Sequence, residues 1–103
     1  MSRVQPGSQL ALPSGSVITA FVFVETTSPA DVVPLGTAMA GIDGVYECFS
    51  VTGEYDLIAM LRVKTHEDIA HVVTERIAAL PGIRSTTTTI AFRAYGTQDL
   101  SGF

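Results

Sequence analysis

Residues 52–56, Thr52-Gly53-Glu54-Tyr55-Asp56, concentrate groups that could do chemistry. Thr52 carries a hydroxyl, Gly53 permits close backbone approach, Tyr55 offers a ring and Asp56 a carboxylate. A short hairpin is satisfied by Asn-Gly or Asp-Gly, so this mixture is richer than turning the chain requires. Two readings stand side by side. Asp56 accepts hydrogen bonds from a bound cation, or it is a turn carboxylate satisfying its own backbone. Gly53 reads equally as a turn position and as part of a site.

The other reactive side chains read as structural. Cys48 falls inside an apolar run and is expected to be an inert small residue there. His66 and His71 are five apart, about 140° around a helix, and do not share a face for a metal. Glu67 and Glu75 each lie four residues from His71, which reads as a solvated ion-pair face. The spacing suggests no Ser/His/Asp set, no metal site and no cofactor. The run Thr86, Thr87, Thr88, Thr89 reads first as an edge strand of high β propensity.

The elements that must position these groups follow from the apolar pattern. Residues 45–51 and 57–63 are two seven-residue apolar-rich runs flanking the 52–56 link, a hairpin signal. Residues 17–24 (VITAFVFV) form a first strand with Val17, Thr19, Phe21 and Phe23 on one face. Ile18, Ala20, Val22 and Val24 lie on the other, so both faces demand cover. A first helix, capped by Ser28 or Asp31, runs to about Ala40 with Pro34 in or near its first turn. Its buried stripe is Val32, Leu35, Met39 and Ile42. Thr65 with Asp68 opens a second helix as a near capping box. Its face is Ile69, Val72, Val73, Ile77 and Leu80, and Pro81-Gly82 stops it. Residues 85–95 form the last strand.

The order strand, helix, strand, strand, helix, strand contains an internal echo. Ile42-Asp43-Gly44-Val45 and Leu80-Pro81-Gly82-Ile83 both leave a helix and enter a strand. The pattern predicts an α+β, ferredoxin-like βαββαβ sandwich, a four-stranded antiparallel sheet with two helices on one face. Strands one and three should be central and strands two and four should be edges. The uncovered face then exposes an apolar set, either Phe21/Phe23 or Ile18/Val22/Val24. A patch of that size implies a partner surface, and a second copy packed sheet to sheet makes a homodimer.

Composition bounds the rest. The chain has 103 residues, one domain's worth, with 47% hydrophobic residues and a net charge of −4. Its six basic residues are scattered, which excludes a basic stripe for direct nucleic-acid binding. One cysteine precludes an intrachain disulfide and fits a reducing compartment. With no membrane span and no secretory signal in the sequence, the expected location is cytoplasmic. Residues 1–15 and 97–103 read as flexible tails flanking a domain over 16–96.

Several of these segments together resemble the effector-binding (RAM) domain of the Lrp/AsnC transcription regulators. The resemblance rests on Ala20-Phe21-Val22, on the run from Val45 to Phe49, on Val51-Thr52-Gly53-Glu54-Tyr55-Asp56-Leu57, on Leu80-Pro81-Gly82-Ile83, and on the Thr86 to Ile90 segment. It implies an amino-acid-sensing module that is not an enzyme, dimerises through its sheet and assembles into an octamer or similar ring. It also implies a ligand site built from Thr52, Gly53, Tyr55 and Asp56. Thr86, Thr87 and Thr88 are implied to contribute from a neighbouring surface. In such a site Asp56 accepts from the ligand ammonium, while Thr hydroxyls or backbone N–H groups near Gly53 donate to its carboxylate. About sixteen residues precede strand one here, without helical period. The chain therefore resembles the form without its own helix-turn-helix, modulating transcription or metabolism through effector-dependent assembly, with a DNA-binding Lrp/AsnC relative as the route to transcription. The alternatives are a dimeric ferredoxin-like α/β-barrel enzyme of monooxygenase type, and a ligand-free oligomerisation module.

Overall fold

The computed structural model describes residues 17–96; the tails expected over 1–15 and 97–103 lie outside the described residues. Strand β1 (Ile18–Thr26) leads through a 3₁₀ turn (Pro29–Asp31) into helix α1 (Val32–Ala40). Strands β2 (Val45–Ser50) and β3 (Leu57–Val63) form the hairpin. Helix α2 (His66–His71) continues as a π-helical segment (Val72–Ile77) and is followed by β4 (Ile83–Ile90). The sheet is antiparallel with spatial order β2-β3-β1-β4, so β1 and β3 are central. This is the ferredoxin-like α+β sandwich.

The alternation of β1 decides which face is covered. Ala20, Val22 and Val24 are fully buried, as are Ala59 and Leu61 of β3, with Leu57 nearly so. They pack with Leu35, Met39 and Ile42 from the α1 side and Ile69, Val72 and Ile77 from the second helix. Each such aliphatic side chain contributes about 1.5–3 kcal/mol on burial. Val32, expected in the α1 stripe, is only half-buried. Phe21, Phe23, Ile58 and Met60 point the other way and are half-buried, which resolves the open parity in favour of the phenylalanines.

The capping box is present. Asp68 N–H donates to Thr65 Oγ1 at 3.0 Å and Thr65 N–H to Asp68 Oδ2 at 3.1 Å. Downstream the helix widens: Ala78 N–H donates to the Val73 carbonyl, five residues back, at 3.0 Å. That wider turn aligns Val72 with Ile77, both buried, whereas Val73 and Leu80 of the expected face are half-buried. The sequence echo has a backbone cause. Gly44 and Gly82 both sit at left-handed φ, 98° and 95°, where the chain leaves a helix for a strand.

Several element ends differ from expectation. β1 runs two residues further, through the polar pair Glu25-Thr26, because both residues find partners in β4. β4 ends at Ile90 rather than at residue 95; the N–H of Ala91 donates to Thr19 O at 2.8 Å and the chain then leaves the sheet. Phe92 is consequently 95% exposed. Ser28 precedes the 3₁₀ turn, and its hydroxyl donates to Asp31 Oδ2 instead of accepting a backbone N–H.

Candidate functional site

The 51–56 link is held at its base rather than free. Val51 N–H donates to Asp56 O at 3.0 Å, and Asp56 N–H donates to Val24 O at 2.9 Å. The Asp56 carboxylate reaches across to the end of β1. Its Oδ2 accepts the Thr26 N–H at 2.8 Å and lies 3.1 Å from the Thr26 hydroxyl. Thr26 is buried, so this carboxylate satisfies a polar group that water does not reach. Asp56 is thus neither free nor a turn residue closing on itself; it ties the hairpin link to β1.

Beside this tie lies an open polar hollow of about 270 Å³, lined by Glu25, Glu54, Tyr55, Ser85 and Thr87. Tyr55 is positioned by Phe23, with ring centroids 5.2 Å apart and planes tilted by 46°. Phe23 pairs directly with Thr87, and Glu25 with Ser85, whose hydroxyl donates to Glu25 Oε1 at 2.6 Å. The end of β1, the start of β4 and the link therefore meet at one corner of the uncovered face. Hydroxyls and carboxylates line it, and among the described residues no cation does.

Residues 19–99 match the model of the Lrp/AsnC ligand binding domain. This chain belongs to that family. Among solved structures it is similar to TTHA0845 from Thermus thermophilus, 46% identical, covering 77% of this chain and 98% of that one, with a TM-score of 0.72. It is also similar to the hypothetical protein PHS023 from Pyrococcus horikoshii, 31% identical over 76% of this chain and 93% of that one, with a TM-score of 0.68. Escherichia coli AsnC, 22% identical over 91% of this chain and 61% of its own, shares the fold with a TM-score of 0.72. The uncharacterized HTH-type transcriptional regulator PH1916 of Pyrococcus horikoshii is 30% identical over 72% of this chain. The chain spans about half the length of the curated relatives it matches.

Within this Lrp/AsnC domain the sheet sorts the residues singled out in the sequence. Tyr55 and Thr87 line the hollow. Asp56 stands behind it, engaged with Thr26. Thr52 and Gly53 are exposed in the link. Thr86 and Thr88 pair with Val24 and Val22, whose side chains face the helices, so strand alternation places both on the opposite side from Thr87. Glu25, Glu54 and Ser85 join the site without a sequence signal of their own. Glu54 was legible as a member of the link; Glu25 and Ser85 become visible only once the β1–β4 register is known.

The remaining reactive groups have local roles. Cys48 pairs with Ala59, on the helix-facing side, and burial pushes its thiol pKa up. His71 Nδ1 lies 3.2 Å from Glu75 Oε1 on an exposed helix face. The layer between sheet and helices is filled by aliphatic side chains, with Thr26 its buried polar residue among those described. Among the described residues no helix is long and apolar enough to cross a membrane.

Proposed function

We propose that this domain senses a free amino acid in the hollow beside the 51–56 link and couples occupancy to self-assembly. The observation that carries the reading is the meeting of Glu25, Glu54, Tyr55, Ser85 and Thr87 at one corner of an Lrp/AsnC ligand binding domain. A zwitterion suits that lining. Its ammonium is matched by the Glu25 and Glu54 carboxylates, the first of them held by the Ser85 hydroxyl, and its carboxylate by the Thr87 hydroxyl, with Thr52 and the Gly53 backbone close by in the link. Charge-assisted contacts of this kind are worth about 1.5–3 kcal/mol each. Tyr55 supplies a wall for the ligand side chain, and Asp56 holds the link that carries it. Thr86 and Thr88 serve a ligand only from a neighbouring copy packed on their side. A fold relative, NMB0573 from Neisseria meningitidis, was solved as a complex with L-Met. That makes an apolar amino acid a sensible first probe.

The same reading includes a cytoplasmic homodimer through the Phe21/Phe23/Ile58/Met60 face, assembly of dimers into an octamer or similar ring, and control of transcription through a DNA-binding Lrp/AsnC relative. The exposed apolar face supports the first of these. Thermal-shift measurements with the twenty amino acids, followed by light scattering with and without the best of them, test the proposal. A stabilising amino acid that also shifts the assembly state is the expected result. No stabilisation by any of the twenty overturns the sensor, and a stable monomer at micromolar concentration overturns the dimer.

A further inference from the structure

The hollow carries more negative charge than a single ammonium balances. Glu25 and Glu54 both line it, and neither makes an ion pair among the described residues. Arg84 precedes Ser85 in the chain, yet it is not part of the lining and pairs with no carboxylate among the described residues. Arg62 stands opposite Thr19, six positions along the strand from Glu25, about 20 Å at the rise of a β-strand. The described residues therefore place no cation between the two carboxylates, and like charges drawn into one hollow repel. A metal ion does not fit the gap. Hard cations take about six or more oxygens, and among the described residues no three acidic, histidine or cysteine side chains are grouped to hold one.

The two carboxylates are held differently. Glu25 is half-buried on β1, and the Ser85 hydroxyl donates to its Oε1 at 2.6 Å, which fixes the group and leaves its second oxygen to a ligand. Glu54 is exposed in the link beside Gly53, whose backbone at φ 123° has open space where a side chain would stand. Thr87, opposite Phe23, is two positions along β4 from Ser85, so its hydroxyl stands one row, about 7 Å, from the Glu25/Ser85 pair. The four-carbon stem of a lysine covers that distance. The Tyr55 ring, also in the lining, suits both such a stem and the cation at its end.

We propose that the effector of this site is a basic amino acid. Its α-ammonium sits on Glu54, its carboxylate takes the Thr87 hydroxyl, and its side-chain cation sits one row away on Glu25. The inference rests on the sensor reading of the preceding section and names the ligand class for it. Two cations then match two carboxylates, which an apolar amino acid cannot do.

Calorimetry with lysine, ornithine, arginine and norleucine tests the assignment, norleucine being the lysine stem without its terminal amine. The tightest of the three basic amino acids should bind at least about tenfold more tightly than norleucine. Glu25→Gln keeps an acceptor for the Ser85 hydroxyl and removes only the charge. It should abolish that preference, lowering the affinity for the basic ligand about tenfold or more while leaving norleucine unchanged. Glu54→Gln should weaken both ligands alike. A preference that survives in Glu25→Gln overturns the assignment. So does a native chain that binds norleucine or methionine as tightly as the basic amino acids, a result that leaves the sensor standing. No binding of any of the twenty amino acids refutes the sensor itself, a separately visible result. Cadaverine, which is lysine without its carboxylate, should bind more weakly than lysine; equal binding overturns the amino acid in favour of a diamine. If Glu25→Gln fails to fold, salt decides on the native chain. Added salt should weaken the basic ligand more than norleucine, and an equal decline overturns the proposal.

Discussion

Asp56 Oδ2 accepts the backbone N–H of Thr26, thirty residues away in sequence, and shares the Thr26 hydroxyl with the Ser28 carbonyl, each at 3.1 Å. Because Thr26 is buried, removing the carboxylate strands a donor that water cannot reach. Asp56→Ala should therefore cost about 1–3 kcal/mol of folding stability, read as a lower urea midpoint at unchanged slope. Asp56→Asn keeps an oxygen that can face the Thr26 N–H and should cost clearly less. Equal losses for the two variants would show that charge, and not the acceptor, makes the tie.

This tie shows where sequence reading stops. The hydrophobic run of β1 ends at Val24, and nothing local says that Glu25 and Thr26 stay in the sheet. They do so because Ser85 and Ile83 of β4 are opposite them, a long-range fact. The same register sends Thr87 to the hollow and turns Thr86 and Thr88 away, so a threonine run that looks uniform is split by pleating. Phe92 continues the alternation of Ile90 on paper, yet it and Tyr95 are exposed after the chain leaves β1 at Ala91. What was legible was local or strongly periodic. The two-faced apolar run made β1 central, Thr65 with Asp68 marked a helix start, and the repeated Gly marked the helix exits.

Gly44 is the most constrained of those exits. Its φ of 98° is unfavourable for any residue with a side chain. A Cβ there would stand 3.0 Å from Val72 Cγ2 and 3.2 Å from Val63 Cγ1, both in the core. Backbone strain alone costs roughly 1–2 kcal/mol, and crowding adds to it. Gly44→Ala should lose about 2 kcal/mol or more, measured by urea unfolding. A loss below about 0.5 kcal/mol would mean that this exit relaxes freely.

Asp31 carries the pH prediction. The Thr27 hydroxyl, which donates to its Oδ2 at 2.5 Å, holds the carboxyl below its ordinary pKa, with a smaller contribution from Ser28. A carboxyl lowered in the folded state contributes stability above its unfolded pKa, about 3.9, and loses it as pH falls through the folded value. Thr27→Val should raise the Asp31 titration midpoint, followed by carboxyl-carbon NMR, and make stability begin to fall at a higher pH. An unmoved midpoint would assign the shift to some other group.

Thr87 and Thr88 offer the sharpest test of the ligand site, because they are neighbours of one type that strand alternation sends to opposite faces. Thr87 sits opposite Phe23 and lines the hollow, while Thr88 sits opposite Val22 on the helix-facing parity. Both are exposed, and Thr→Val preserves shape and β propensity at either position. Folding stability should therefore change little in both variants. If the Thr87 hydroxyl donates to a bound carboxylate, its loss costs about 1.5–3 kcal/mol, roughly tenfold to a hundredfold in affinity. Calorimetry with the amino acid that gives the largest thermal shift should show that loss in Thr87→Val and native affinity in Thr88→Val. Matching affinities in the two variants would remove Thr87 from the site. A loss confined to Thr88→Val would move the site to the helix side of the sheet, where a neighbouring copy would have to complete it.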